Sequence, residues 1–276
     1  MSKKSECLAW LIRRHGIEMT HLSGGSHIGS VLSAADIIAV LYADIMRYKS
    51  EDPEWDGRDR FIMSKGHAGA AVYAALAECG FFDTAELKTH YADGSRLSGH
   101  VSHHLPGVEF STGSLGHGLS VAAGMALAAK MDGKDYRVYS LAGDGEIQEG
   151  QIWEAAMFAG ARKLDNLVLF VDNNGLQIDG NIADVCSPYP IDKKFEAFNF
   201  HVININGNDF DEIAAALKEA RETKGMPTAI IAKTIKGKGV SYMENEAGWH
   251  GKAPNDEEFA IAMEELKKAG EALCQK

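Results

Sequence analysis

Two short turns carry the residue types that could do chemistry: Asp144 in Leu141-Ala142-Gly143-Asp144-Gly145, and Asn174 in Asn173-Asn174-Gly175-Leu176. Each closes an apolar run. Val138 to Ala142 and Leu167 to Val171 read as buried strands, and Gln151 to Leu164 between them has the length and composition of a helix. The parallel strands of such a βαβ unit end on the same sheet edge, so Asp144 and Asn174 are expected side by side, as exposed turn residues. A carboxylate, an amide oxygen and a backbone carbonyl from Gly175-Leu176 make an oxygen set suited to Mg²⁺ or Ca²⁺. Mg²⁺ takes few protein ligands and fills its octahedron with phosphate oxygens and water. Gly143 and Gly145 let the backbone approach an anion, and the following helix offers free N–H groups and the positive end of its dipole. Taken singly, Asp-Gly and Asn-Asn-Gly are ordinary turns. The spacing across one βαβ unit is what points to a site.

The elements that must position these residues alternate along the chain. Ser33 to Met46 carries Ala34, Ile37, Ile38, Leu41 and Ile45 at helical spacing, with Ser33 as its cap and Asp36 at the third helical position. Arg60 to Met63 reads as a strand running into Ser64-Lys65-Gly66-His67. Helices are expected over Ala68 to Cys79, His117 to Lys130, Asp209 to Thr223 and from Asp256 onward, with strands at Phe200 to Ile205 and Thr228 to Thr234. This alternation predicts an α/β fold, a mostly parallel sheet with helices on both faces, forming one domain over residues 1–276.

Composition narrows the function classes. The chain has 276 residues, 45% hydrophobic and 24% charged, enough to bury a large core. A formal net charge of −11 argues against nucleic acid as a partner. The apolar run Cys7 to Ile12 is too short for a signal-peptide core or a membrane span. Cys7, Cys79, Cys186 and Cys274 lie far apart and form no C-x-x-C pair. Neither a disulfide framework nor a zinc site is therefore expected, and a reducing, cytoplasmic setting is the default.

Between Tyr91 and Gly118 the pattern is irregular and rich in glycine and histidine, as in functional loops. By ligand type alone His100, His103 and His104 allow a zinc or nickel reading, which would make the chain a metallohydrolase. Against it, no acidic ligand stands at a matching spacing and no H-E-x-x-H is present. His15, His21, His90 and His201 are read as structural. Lys236-Gly237-Lys238-Gly239-Val240 lacks the Walker pattern and reads as a loop after a strand.

Longer motifs resemble the N-terminal part of transketolases, in family order from about Gly24 to Pro254. They are Gly143-Asp144-Gly145-Glu146-Ile147-Gln148-Glu149-Gly150-Gln151 with Trp153-Glu154-Ala155-Ala156, Ser64-Lys65-Gly66-His67, Ser98-Gly99-His100, Leu105-Pro106-Gly107-Val108, Thr112-Gly113-Ser114-Leu115-Gly116-His117-Gly118 and Trp249-His250-Gly251-Lys252-Ala253-Pro254. One segment departs from the pattern: Ser26-His27-Ile28-Gly29 stands where two-domain enzymes have Gly-His-Pro-Gly.

The resemblance implies thiamine diphosphate and Mg²⁺, with Ca²⁺ or Mn²⁺ as substitutes. It implies Asp144, Asn174 and the Leu176 carbonyl as metal ligands, and His67, Gly113, Leu115, Gly143, Gly145, Glu149 and His250 near the cofactor. His27, His67, His100 and His250 would hydrogen-bond hydroxyls and shuttle protons while a two-carbon ketol unit passes from a ketose phosphate to an aldose. His103 and His104 fall outside the pattern as exposed loop residues. Glu149 and Glu154 are either part of an acidic network between active sites, as the family suggests, or helix N-terminal acids favoured by the dipole. The family's activating Glu sits in a second α/β domain, so a separate C-terminal subunit is expected to supply it with most of the sugar-phosphate site, in an α₂β₂ heterotetramer. The alternatives are a different donor, as in a specialised sugar transketolase or a deoxyxylulose-phosphate synthase, or a non-catalytic cofactor-binding subunit.

Overall fold

The computed structural model describes residues 3–25 and 27–274, so Ser26 of the departing motif lies outside the described residues. In chain order the strands are β1 (Arg60–Met63), β2 (Val138–Gly143), β3 (Leu167–Asn173), a short hairpin of β4 (Leu176–Gln177) and β5 (Gly180–Asn181), β6 (His201–Asn206) and β7 (Thr228–Lys233). Five of them pair in parallel in the order β1-β2-β3-β7-β6. β2 is buried throughout, and so is β3 up to Asp172, because helices cover both faces of the sheet.

Successive strand residues point into different layers. Tyr139, Leu141, Val168 and Phe170 pack with α1 (Lys3–Ser23), α2 (Ile28–Val40) and α3 (Gly69–Glu78). Val138, Ala142, Leu167, Leu169 and Val171 pack with α4 (His117–Met131) and α5 (Gly150–Ala161). After the short α6 (Ile182–Cys186), α7 (Ile191–Ala197) joins the second layer, while α8 (Phe210–Glu222) and α9 (Asp256–Gly270) join the first. The α/β class and the parallel sheet expected from sequence are those observed.

The helix expected from Ser33 starts at Ile28 instead. All thirteen residues of α2 are buried, so no polar face marks where it begins. Ser33 is not a cap: its hydroxyl donates to the Ser30 carbonyl (3.2 Å) and to Asp172 Oδ2 (2.6 Å). Asp36 is in a buried bidentate ion pair with Arg13, both contacts 2.7 Å. A π-helical turn, Leu41–Ile45, follows. The stretch Ile28–Ile45 is apolar and long enough to cross a membrane, yet most of it is core.

The cysteine expectation is overturned. Cys7 and Cys274 are joined by a disulfide across 267 positions, with their Cα atoms 5.0 Å apart, while Cys79 and Cys186 are free thiols. Distance along the sequence misled because α1 and α9 pack together, with Trp10 Nε1 donating to the Leu266 carbonyl at 2.7 Å.

Candidate active site

β2 and β3 are neighbours with Gly143 opposite Asp172, so the turns that follow them meet at the sheet edge. Asp144 Oδ2 accepts from the Gly175 N–H (2.6 Å) and Oδ1 from the Gly145 N–H (2.9 Å). The Asn174 amide is held at both ends: Nδ2 donates to Asp172 Oδ1 (3.3 Å) and Oδ1 accepts from the Leu176 N–H (3.1 Å). Asp144 is not an exposed turn residue, since only 1% of its surface is accessible, and Asn174 is half-buried. Burial, and then the nearby Asp172 carboxylate, push the Asp144 carboxyl up to about 6.

Two lysines supply positive charge against the acidic background. Lys65, at the end of β1, is 2% exposed, forms an ion pair with Asp172 and reaches the Ser30 carbonyl (3.3 Å). Burial alone would raise the Asp172 carboxyl, but Lys65, Ser33 and Thr234 outweigh it and hold it below the usual range. Lys236, also 2% exposed, forms no ion pair among the described residues; burial, then Lys65, lower it to about 8 against the weaker pull of Asp172 and Asp144. Its Nζ lies 3.0 Å from His250 Nδ1.

Four histidines share one wall of the resulting cavity of about 370 Å³. Ring centroids are 4.9 Å apart for His27 and His67, 5.1 Å for His27 and His250, 5.3 Å for His67 and His250, and 5.7 Å for His27 and His100. Burial is the first cause that keeps three of them neutral. His27 is lowered, His67 well lowered, and His250 lowered to about 3, with Lys236 or Lys65 adding repulsion. His67 Nε2 is 3.2 Å from the Ser30 hydroxyl, and His27 Nδ1 is buried without a hydrogen-bond partner among the described residues.

The floor is glycine-built where the chain passes close to itself. A Cβ on Gly66 would stand 2.4 Å from the Thr112 carbonyl oxygen, so only glycine lets the segment after β1 lie on the 112–116 loop. Gly116 has φ 86° and turns that loop into α4. Glu146, 3% exposed, accepts from the Ser64 hydroxyl (2.6 Å), the Gly116 N–H (2.8 Å) and the Gly143 N–H (3.0 Å).

Asp144, Asn174, Leu176, Gly143, Gly145, Gly113, Leu115, Glu149 and the four histidines therefore line one cavity. Glu154 is exposed on α5 and does not line it. His103 and His104 are exposed with ring centroids 4.3 Å apart, and the described residues hold no cluster of three or more His, Cys, Asp or Glu arranged to bind a metal, so the zinc reading has no structural support.

Comparison with known proteins gives the same direction. The family described as "Transketolase, thiamine diphosphate binding domain" matches residues 5–270. The chain belongs to the transketolase family. It is 42% identical to the 6-deoxy-6-sulfo-D-fructose transketolase subunit SqwG of Clostridium sp. (strain MSTE9) over 261 residues, covering 94% of this chain and 95% of that subunit. It is 43% identical to an apulose-4-phosphate transketolase subunit of Phocaeicola vulgatus, covering 95% and 93%. Among solved structures, the Campylobacter jejuni transketolase superposes with a TM-score of 0.91 at 34% identity over 96% of this chain. The chain spans 43% of that longer transketolase.

Within this transketolase domain, sequence reasoning passed over four residues of the cavity and its frame. Lys65 lies inside Ser64-Lys65-Gly66-His67, where no distinctive spacing marks it. Lys236 lies in a loop that lacks the Walker pattern and that the family resemblance only implies to cover the cofactor, so nothing singles out the residue itself. Ser30 was hidden in the unrecognised first turn of α2. Glu146 reads as one more helix-start acid, and only the fold shows its three donors.

Proposed function

We propose that this chain is the thiamine-diphosphate-binding subunit of a two-subunit transketolase, moving a two-carbon ketol unit from a ketose phosphate to an aldose. The observation that carries the reading is the cavity itself: buried Asp144 and half-buried Asn174 at one end, Lys65 and Lys236 buried beside them, and a wall of four histidines of which His27, His67 and His250 are held neutral. The residues fit the cofactor. Among the described residues Lys236 forms no ion pair and His27 Nδ1 has no hydrogen-bond partner, which suits a site that receives an anion and a polar ligand.

Asp144, Asn174 and the Leu176 carbonyl would hold Mg²⁺, with Ca²⁺ or Mn²⁺ as substitutes. Lys236, Lys65, His67 and the backbone at Gly113, Leu115, Gly143 and Gly145 would receive the diphosphate, with Glu149 at the rim. When bound, thiamine diphosphate supplies the carbanion chemistry. The chain's own part is to bind, orient and move protons. His250 presents Nε2–H as a donor, because Nδ1 already accepts from Lys236. Neutral His27 and His67, together with His100, would hold sugar hydroxyls and exchange protons with them, and His100→Ala is expected to lower turnover by roughly 10²-fold with cofactor affinity unchanged.

Both relatives are named as subunits, and this chain spans 43% of the longer transketolase; the two facts support a separate C-terminal partner that completes the site within an α₂β₂ assembly. Residues 1–276 act as one domain of it. The sugars in the relatives' names, 6-deoxy-6-sulfo-D-fructose and apulose 4-phosphate, support a specialised donor as well as the common ketose phosphates of pentose phosphate metabolism. A cytoplasmic setting loses the support that scattered cysteines gave it, since Cys7 and Cys274 are bonded. The deciding experiment is ketol transfer by the purified chain with and without a co-expressed C-terminal subunit, using 6-deoxy-6-sulfo-D-fructose, apulose 4-phosphate and common ketose phosphates as donors. Transfer only with the partner is expected; robust turnover by the chain alone would refute the split site.

A further inference from the structure

Glu146 is out of place by charge. It is an acid at the edge of a cavity read as a diphosphate site, yet it is 3% exposed and faces inward. Like charge there repels an anionic ligand unless the carboxylate has other work. Its oxygens are committed to three donors from three segments: Oε1 accepts from the Ser64 hydroxyl and the Gly116 N–H, and Oε2 from the Gly143 N–H.

Each donor is a near neighbour of a group that faces the cavity. Ser64 precedes Lys65 and His67 at the end of β1, Gly116 follows Gly113 and Leu115 before α4, and Gly143 precedes Asp144 and Gly145 at the end of β2. The loop carrying Gly113 and Leu115 belongs to no strand. Thr112 fixes its start through bonds to Met63 and Val101, and Gly116 fixes its end through Glu146. With both ends held, Gly113 and Leu115 face the cavity at a set depth.

We infer that Glu146 is a positioning residue for the cofactor: it pins the 113–116 loop to the ends of β1 and β2 and so assembles the diphosphate-facing floor without touching the ligand. The inference rests on the function proposed above. It follows that a glutamine is not equivalent. A carboxylate accepts at both oxygens, whereas an amide in the same space turns its NH₂ toward either the Gly143 or the Gly116 N–H, setting donor against donor. One of those buried amides then loses its acceptor.

The test is Glu146→Gln in the full chain, read in two ways. In the unloaded protein, hydrogen exchange by NMR should show the Gly116 and Gly143 amides protected in wild type, with one of them exchanging at least about tenfold faster in the variant. Titration with thiamine diphosphate and Mg²⁺ should show affinity weakened roughly 10- to 100-fold, the usual effect of removing a group that orients ligand contacts from behind. Thermal melting reports whether the variant is folded. A Gly116 amide that exchanges as fast in wild type as its exposed neighbour Ser114 overturns the inference without any variant. So does a folded Glu146→Gln chain that binds the cofactor as tightly as wild type. Wild-type chain that takes up no thiamine diphosphate, alone or with its partner, overturns the proposed function instead, and the exchange result on the unloaded chain is read separately.

Discussion

The Lys236 ammonium lies 3.0 Å from Nδ1 of His250, and because an ammonium can only donate, the imidazole must accept there and carry its proton on Nε2. One contact thus fixes the tautomer, the ring orientation and, with burial, the neutrality of a histidine in the cavity wall.

Replacing Lys236 by Met removes that donor and a nearby positive charge. The His250 titration, followed by NMR, should move from about 3 upward toward the ordinary 6.5. Thiamine diphosphate should bind more weakly, since a buried cation has been lost from the site. An unmoved His250 would show that burial, with His27 and Lys65, sets its protonation without Lys236.

Asp144 and Asn174 call for different substitutions because they are differently buried. Asp144→Ala would leave the half-buried Gly145 and Gly175 amides without their acceptor, at about 0.5–1.5 kcal/mol for each. Asp144→Asn keeps the volume and an acceptor, so it should stay folded while losing Mg²⁺-dependent thiamine diphosphate binding. Asn174→Ala should do the same, and chelation of Mg²⁺ should reproduce the loss in wild type. Undiminished cofactor affinity in both variants would reject the ligand assignment.

A pH signature lies away from the cavity. His15 is bracketed by Glu78 (2.6 Å) and Glu18 (3.2 Å). Burial works against its protonation, but the two carboxylates win and raise it to about 9. A raised folded-state value stabilises fully below the unfolded value of 6.5 and is lost as pH climbs through about 9. Between those limits wild type should lose stability, on the order of 1–3 kcal/mol, relative to a His15→Gln chain. Denaturant melts at pH 6 and pH 9.5 measure it, and parallel losses in both proteins would dismiss the pairing.

The Cys7–Cys274 bond closes nearly the whole chain into a loop. Reduction, or Cys7→Ser, should cost roughly 2–5 kcal/mol, lowering the melting temperature by roughly 5–15 °C. Alkylation before and after reduction, read by mass spectrometry, counts the free thiols: two, Cys79 and Cys186, should be found before reduction. Four would remove the bond.

Legibility followed how local each signal was. Asp144 and Asn174 could be paired from sequence because a βαβ unit constrains where its two turns end. Strand β1 was located at its observed bounds, since an apolar run between turn signals is a local pattern. The start of α2 was not, because a helix buried all round has no amphipathic period to read. Lys65 and Glu146 draw their roles from partners far along the chain, Asp172 for the first and Ser64 and Gly116 for the second, and Lys236 meets His250 only through the irregular loop between them. The disulfide failed for the same reason: its halves are neighbours only after α1 and α9 have docked.

That last point bears on how the protein is made. Cys7 leaves the ribosome 267 residues ahead of Cys274. At about 5–20 residues per second the first thiol waits roughly 13 to 53 s for its mate. The bond therefore cannot steer the nascent chain. It seals a structure that packing between Trp10 and the Leu266–Gly270 turn has already brought together, and during that interval Cys7 is open to any other thiol or oxidant it meets.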